Sequence, residues 1–253
     1  MLRGRPARIL TAVSAAPGPD GVPPRFVRAC ARALPVTGVA LSLTSAAGDL
    51  GGLVAACGGN AAALEDLQFD LGEGPCLDAS RSREPVLVAD LARDGRERWP
   101  VLAAEAPRAG IAAVFAYPLQ VGPLRLGVLG LHRDRPGGLE EAVHAEALQF
   151  AAAAVALLLH LHSRLPATGA ARGPVDRAGT AAAAPPAAAG IVLADDRAVV
   201  HQATGVVSAS AGVSTGTALL LLRARAYAEG RGVRALAQDV VAARTWPTGR
   251  GHR

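Results

Sequence analysis

Val199-Val200-His201-Gln202-Ala203-Thr204-Gly205-Val206-Val207-Ser208 opens the stretch that decides the C-terminal fold. Gly212-Val213-Ser214 and Ala218-Leu219-Leu220-Leu221-Leu222-Arg223 continue it, and Gly230-Arg231-Gly232-Val233-Arg234-Ala235-Leu236-Ala237-Gln238-Asp239-Val240-Val241 closes it. The apolar residues recur at helical spacing. Val199/Val200, Ala203, Val206/Val207 and Ser210 fall on one face, Ala218, Leu219, Leu222 and Ala226 on a second, and Val233, Leu236/Ala237 and Val240/Val241 on a third. Ser214 stands where it caps the second helix, and Gly230 where a left-handed residue ends it. No helix of this length buries its face alone, so the spacing predicts a small three-helix bundle.

Working outward, the segment 166–190 is dominated by Ala, Pro and Gly, is broken by Pro185-Pro186 and has no period, so it reads as a linker. Before it lies an intermixed region. A helix is predicted over Pro24–Leu34, strands over Val36–Thr44 and Leu50–Cys57, and a short helix over Ala61–Gln68. A tight glycine-rich loop, Leu71–Cys76, follows. Then come a strand at Pro85–Val88, a helix at Trp99–Arg108, strands at Ile111–Val121 and Leu124–His132, and one long helix at Leu139–Arg164. Hairpin-joined strands among helices predict an α+β fold, an antiparallel sheet flanked by helices. Residues 1–23, rich in Arg, Pro and Gly, are expected to be disordered. The expected units are therefore 24–165, 166–190, 191–246 and a tail 247–253.

Composition narrows the class. The chain has 253 residues, a net charge of +5 and 51% hydrophobic residues, of which few are aromatic. Every one of its 26 basic residues counted as Lys or Arg is Arg, a usage typical of a GC-rich genome, which weakens the case for any single Arg as a chosen contact. The basic balance permits a polyanionic partner. Three cysteines, an odd number without CxxC spacing, predict reduced thiols, and no His motif predicts a metal. The strongest apolar run, Phe150–Leu159, is too short for a bilayer, and no signal peptide is evident, so a cytoplasmic protein without a membrane partner is expected.

The C-terminal residues resemble the ANTAR domain, the RNA-binding module of transcription antitermination regulators. The matching positions are Gln202-Ala203-Thr204-Gly205, Ser214 with Ala218, Leu222-Arg223 and Ala226, and Val233 with Ala237 and Val240-Val241. Thr204 stands where that family often has Lys. The resemblance implies RNA contact by Gln202, Ala203, Thr204 and Gly205, with Arg223, Arg225, Arg231 and Arg234 supplying charge. Across Ile191–Arg253, eight Arg stand against Asp195, Asp196, Glu229 and Asp239, a net +4. Guanidinium groups suit phosphates and unpaired bases.

Upstream, Gly72-Glu73-Gly74-Pro75-Cys76-x-Asp78-Ala79, Asp90-Leu91, Arg98-Trp99-Pro100, Gly110-Ile111, Pro118-Leu119 and Leu126-Gly127-Val128-Leu129-Gly130 resemble a GAF sensor domain of the kind that precedes ANTAR in actinobacterial regulators. The two resemblances imply a non-catalytic regulator. A signal at the GAF domain, from a ligand the sequence leaves unknown, would shift dimerisation or exposure of the bundle, which would bind stem-loop RNA in a nascent leader. One side of the long helix is expected to cover the sheet, and the resemblance to a family that pairs through such helices implies a homodimer through the rest. Cys76 is a candidate redox or ligand sensor, weighed against an ordinary packing residue. Three alternatives stay open: a DNA-binding regulator with a helix-turn-helix-like C-terminus, a protein-only partner, and a GAF-type methionine sulfoxide reductase using Cys30, Cys57 and Cys76.

Overall fold

The computed structural model describes residues 4–15, 21–45, 48–163 and 197–246. The stretch read as a linker and the tail lie outside them. The N-terminal unit is built on a five-stranded sheet. Its strands are β1 (Gly38–Thr44), β2 (Leu50–Cys57), β3 (Val86–Val88), β4 (Ala113–Val121) and β5 (Leu124–Arg133), in the order β2-β1-β5-β4-β3. Every neighbouring pair is antiparallel, with Leu41 opposite Leu129 and Phe115 opposite Leu131.

Period-2 alternation gives the sheet two different faces. Val39 and Leu41, Phe115 and Tyr117, and Leu129 and Leu131 point to one, which is covered by α2 (Val22–Ala33) and α7 (Glu141–Ser163). Phe26 and Phe150 meet edge-on there, with centroids 6.0 Å apart. Val114, Ala116 and Val128 point to the other face. That face carries α3 (Ala61–Leu71), α4 (Pro75–Ser82), α5 (Leu91–Asp94) and α6 (Pro100–Glu105).

Some expectations need correction. Residues 5–15 are not structureless: α1 (Arg5–Ala15) packs on α7 through Ile9, Leu10 and Val13, and Arg5 pairs with Glu146. Arg, Pro and Gly dominate the segment and hide three apolar residues at helical spacing. The loop at 71–76 ends early, because Pro75 occupies the first turn of α4, where its fixed φ and missing N–H suit a helix start. The helix expected at Trp99–Arg108 stops at Glu105 and passes into a 3-10 turn, Ala106–Ala109, where Pro107 cannot continue the α ladder. Considered whole, α7 is long and apolar enough to cross a bilayer, unlike its ten-residue apolar run, yet Ala147, Phe150, Ala154 and Leu157 are buried against the sheet domain.

The C-terminal unit is three helices, α8 (Ala198–Ala211), α9 (Thr215–Ala228) and α10 (Val233–Ala243). Val200, Ala203, Val207, Ala218, Leu222, Ala226, Val233, Leu236 and Ala237 close its core, while Ser210, expected on the apolar face, is exposed. Ser214 Oγ accepts the Thr217 amide at 3.1 Å as the N-cap of α9, and Gly212 and Gly230 take φ of 66° and 64° past two helix ends. The bundle core is continuous with the apolar layer beneath α3, α4 and α6, so the two units share one hydrophobic cluster.

Candidate nucleic-acid interface

The residues predicted to meet RNA fall into three groups. Gln202 and Gly205 lie exposed on α8. Ala203 and Thr204 do not: Ala203 is fully buried and Thr204 nearly so, its hydroxyl donating to Val200 O at 2.7 Å. They hold α8 in the bundle, which corrects their assignment as surface contacts. The short side chains the motif requires there are explained by packing alone.

The arginines are all engaged. Arg225 donates to Glu229 at 2.7 Å and lies 5.0 Å over the Trp246 ring; Arg231 reaches Asp239 at 2.7 Å and Glu229 at 3.5 Å. Each of these two arginines is thus matched by a carboxylate of the bundle itself. The other two reach toward the sheet domain, Arg223 half-buried and Arg234 still partly open to solvent. Arg223 Nε donates to Phe69 O at 3.0 Å, and its guanidinium lies 5.5 Å over the Phe69 ring. Burial pushes the Arg223 guanidinium down from its usual range. Arg234 reaches Asp66 at 3.7 Å, and Val233 N–H bonds to the Asp70 carboxylate. A third arginine, missed in the sequence, joins them. Arg197, just before α8, is 1% exposed and lies 4.0 Å over the same ring. It donates to the carbonyls of Gly51 and Glu65 and faces Asp66 at 3.6 Å. One helix of the sensor-like unit, α3, thus clasps three arginines of the bundle. Between α3 and α9 a cleft of about 340 Å³ remains, bordered by Leu67, Asp70, Arg223 and Tyr227.

The glycine-rich motif builds the surface they meet. Gly72 ends α3 with φ 72°, and a Cβ there would stand 2.7 Å from Arg223 Nη1, so the guanidinium needs that glycine. Glu73 accepts the amides of Val101 and Leu102 at 2.9 and 2.8 Å, closing the start of α6. The Gln68 side chain accepts the Cys76 amide at 2.8 Å, and Asp78 accepts Trp99 Nε1 at 3.1 Å and pairs with Arg98 at 2.9 Å.

Under α3 sits a buried polar cluster. Glu65 is fully buried and accepts Ser42 Oγ at 2.6 Å. Burial raises its carboxyl above the ordinary 4.5; hydrogen bonds from Ser42 and Cys76, and the charge of Arg197, work against that rise, while Asp66 adds to it. Gly130 leaves the room: a Cβ there would lie 3.1 Å from both Cys76 Sγ and Glu65 Oε1. Cys76 is buried, and its thiol is held well above the usual range by burial and by Glu65, the reverse of what a reactive thiolate needs. Cys30 belongs to the core on the opposite face of the sheet and Cys57 is half-buried, so the three thiols do not converge. Among the described residues, no three His, Cys, Asp or Glu side chains are grouped to hold a metal. A carboxylate inside the apolar spacing Ala61, Leu64/Glu65, Gln68/Phe69 was the available sign of this cluster.

A GAF domain model matches residues 26–160 and an ANTAR domain model matches residues 194–241. No curated protein matches the chain. Among solved structures, it is similar to the GAF domain of a phosphoenolpyruvate-protein phosphotransferase from Acinetobacter, at 17% identity over 64% of this chain and 95% of that one, with a TM-score of 0.48. The GAF domain of a phosphoenolpyruvate-protein phosphotransferase from Coxiella burnetii gives 20% identity over 63% and 93%, with a TM-score of 0.48. A free methionine-R-sulfoxide reductase from Neisseria meningitidis gives 14% over 63% and 89%, with a TM-score of 0.46.

Proposed function

The chain belongs to the GAF domain family and carries an ANTAR domain behind it, and from that premise we propose that it is a cytoplasmic, homodimeric transcription antitermination regulator. At the coarser level it is a signal-sensing regulator with an RNA-binding output. The finer reading is that the bundle binds paired stem-loops in a nascent leader and stops a terminator from forming, under control of a small ligand at the GAF domain.

The observation that carries this reading is the clasp. Arg223 and Arg234, two residues expected to meet RNA, are held by Phe69 and Asp66 of the sensor domain. A surface used by both the sensor and the nucleic acid is open to only one at a time, which makes RNA affinity depend on the docking equilibrium. The docked form is the weak-binding one, and a signal that undocks the bundle raises affinity. Groove reading of DNA is poorly served, since the exposed positions of α10 include Gln238, Asp239 and Ala242 and only one of these is a base-reading amide. For the dimer, Leu148, Ala152, Val155 and Leu159 form an outward stripe on α7 at i, i+4, i+7 and i+11, with Leu148 and Leu159 exposed.

The test is a gel-shift titration of the full chain against a tandem stem-loop RNA, a scrambled RNA and a DNA duplex, each at two salt concentrations. Selective retention of the structured RNA at the higher salt is expected. Equal binding to all three, erased by salt, would mean a merely polyanion-sticky surface and would overturn the proposal.

A further inference from the structure

Arg197 occupies a recess whose walls are chosen for a cation. One wall is the face of Phe69, 4.0 Å from the guanidinium carbon. The rim supplies two main-chain carbonyl oxygens, Gly51 O and Glu65 O, as acceptors for guanidinium N–H groups. Two carboxyl groups complete it, Asp66 at the edge and Glu65 fully buried behind. The recess belongs to the GAF domain, formed by β2 and α3, yet its occupant arrives from a position 132 residues beyond Glu65. Arg197 is also the N-cap residue of α8, so filling the recess fixes where the bundle begins.

The geometry points to this recess as a binding site for a small guanidinium compound, which enters by displacing Arg197 and thereby frees the bundle. The planar headgroup stacks on Phe69 and sends its in-plane donors to the two carbonyls, as Arg197 does now. Arg223 shares the Phe69 ring and Arg234 shares Asp66, so the bundle meets the sensor domain at one patch, in which Arg197 is the fully buried anchor. A tethered side chain competes at an effective concentration of about a millimolar, so a bare headgroup binds the native chain weakly and binds more tightly where Arg197 is missing. The release step rests on the RNA-binding reading above; the site itself does not.

The experiment titrates the full chain, native and Arg197→Ala, with methylguanidinium, with n-butylammonium, and with urea as a planar uncharged isostere, by calorimetry. Hydrogen exchange of α8 amides is followed in parallel. Methylguanidinium is expected to bind Arg197→Ala at least about tenfold more tightly than the native chain, with urea silent and Phe69→Leu weakening binding about tenfold, one cation–π contact's worth. Saturating methylguanidinium is expected to speed α8 exchange in the native chain. No binding to a folded Arg197→Ala chain overturns the site, as does urea binding equally well. Butylammonium binding as tightly as methylguanidinium overturns the guanidinium assignment, and binding that leaves α8 exchange unchanged overturns the displacement. Should the alanine chain fail to fold, Arg197→Lys, which keeps the charge and loses the planar stack, takes its place with the same expectations. Because exchange reads α8 without RNA, faster exchange with no RNA binding would sink the antitermination reading and leave the site standing.

Discussion

The two faces of the sheet are built from the same strands and have opposite chemistry. The face under α2 and α7 is dry at its centre, where Phe26, Val27, Cys30, Leu41, Leu129 and Phe150 pack together, and polar groups enter where Arg133 lies over Phe115 and Tyr117 meets His144. The face under α3 and α4 holds Ser42, Glu65 and Gln68 in its buried layer, and takes an arginine from another domain against α3. A dry face contributes stability in proportion to area and has one good arrangement. A face with a buried carboxyl and a borrowed cation depends on each group keeping its partner, because a buried polar group left unpaired is costly. The first face holds the domain together; the second is where a signal can act.

The comparison breaks if the dry face tolerates truncation. Phe150→Ala should be the most damaging change, since it removes a ring that is 4% exposed and stacked edge-on against Phe26. A loss of about 3–5 kcal/mol in urea unfolding is expected. A loss below about 1 kcal/mol would show that the α7 layer is loosely packed.

On the polar face the largest effect is expected at Gly74, with φ 139°. A Cβ there would stand 2.4 Å from Gln68 Oε1, the atom that accepts the Cys76 amide. Gly74→Ala should cost about 1–3 kcal/mol through the strained backbone and the displaced glutamine. It should also alter the α3 surface that meets the bundle, so RNA affinity should change along with stability. Phe150→Ala, measured where the chain is still folded, should leave that affinity alone.

Both positions were legible in the sequence. The strands and the amphipathic helices were readable because their burial is one-sided and periodic, and Gly74 because it sits in a dense Gly-Glu-Gly-Pro motif. The clasp was not. Arg197 lies just before the periodic stretch of α8, among eight C-terminal arginines of an Arg-biased chain, and nothing local distinguishes it. Phe69 and Asp66 read as ordinary core and surface positions of a helix. Their pairing is decided by how two units dock, which spacing along either one does not encode. Ala203 and Thr204 were misplaced for a related reason: a motif marks residues that matter without saying whether they face solvent or core.

Glu65 sharpens the contrast through pH. Its carboxyl is raised in the fold, so the native state holds the proton more tightly than the unfolded chain. That stabilisation is fully present below about 4.5 and is lost as pH rises toward the folded value. Glu65→Gln keeps the shape without the titration and should cost about 1–2 kcal/mol at pH 5 for the altered hydrogen bonding with Ser42. The cost should shrink as pH rises to 8, read as the difference between variant and native urea midpoints. A cost that grows with pH would mean that Arg197 holds Glu65 ionised, and the polar face would then be a fixed ion pair.

The smallest effect bears on how the two units are joined. Ser214 is exposed, caps α9 through the Thr217 amide, and is absent from the contacts with α3. Ser214→Ala should cost about 1 kcal/mol at most. Where that loss is registered matters more than its size. One apolar cluster runs from beneath α4 and α6 through the bundle core, which predicts that bundle and sheet domain melt together. In calorimetry the variant should then shift a single transition slightly. If the loss instead moves a separate, earlier transition and leaves the main one in place, the bundle is a module only lightly held, and the clasp of Arg197, Arg223 and Arg234 carries most of what joins it. In that case the same variant should scarcely alter RNA affinity, because a bundle already free most of the time has little docking left to lose.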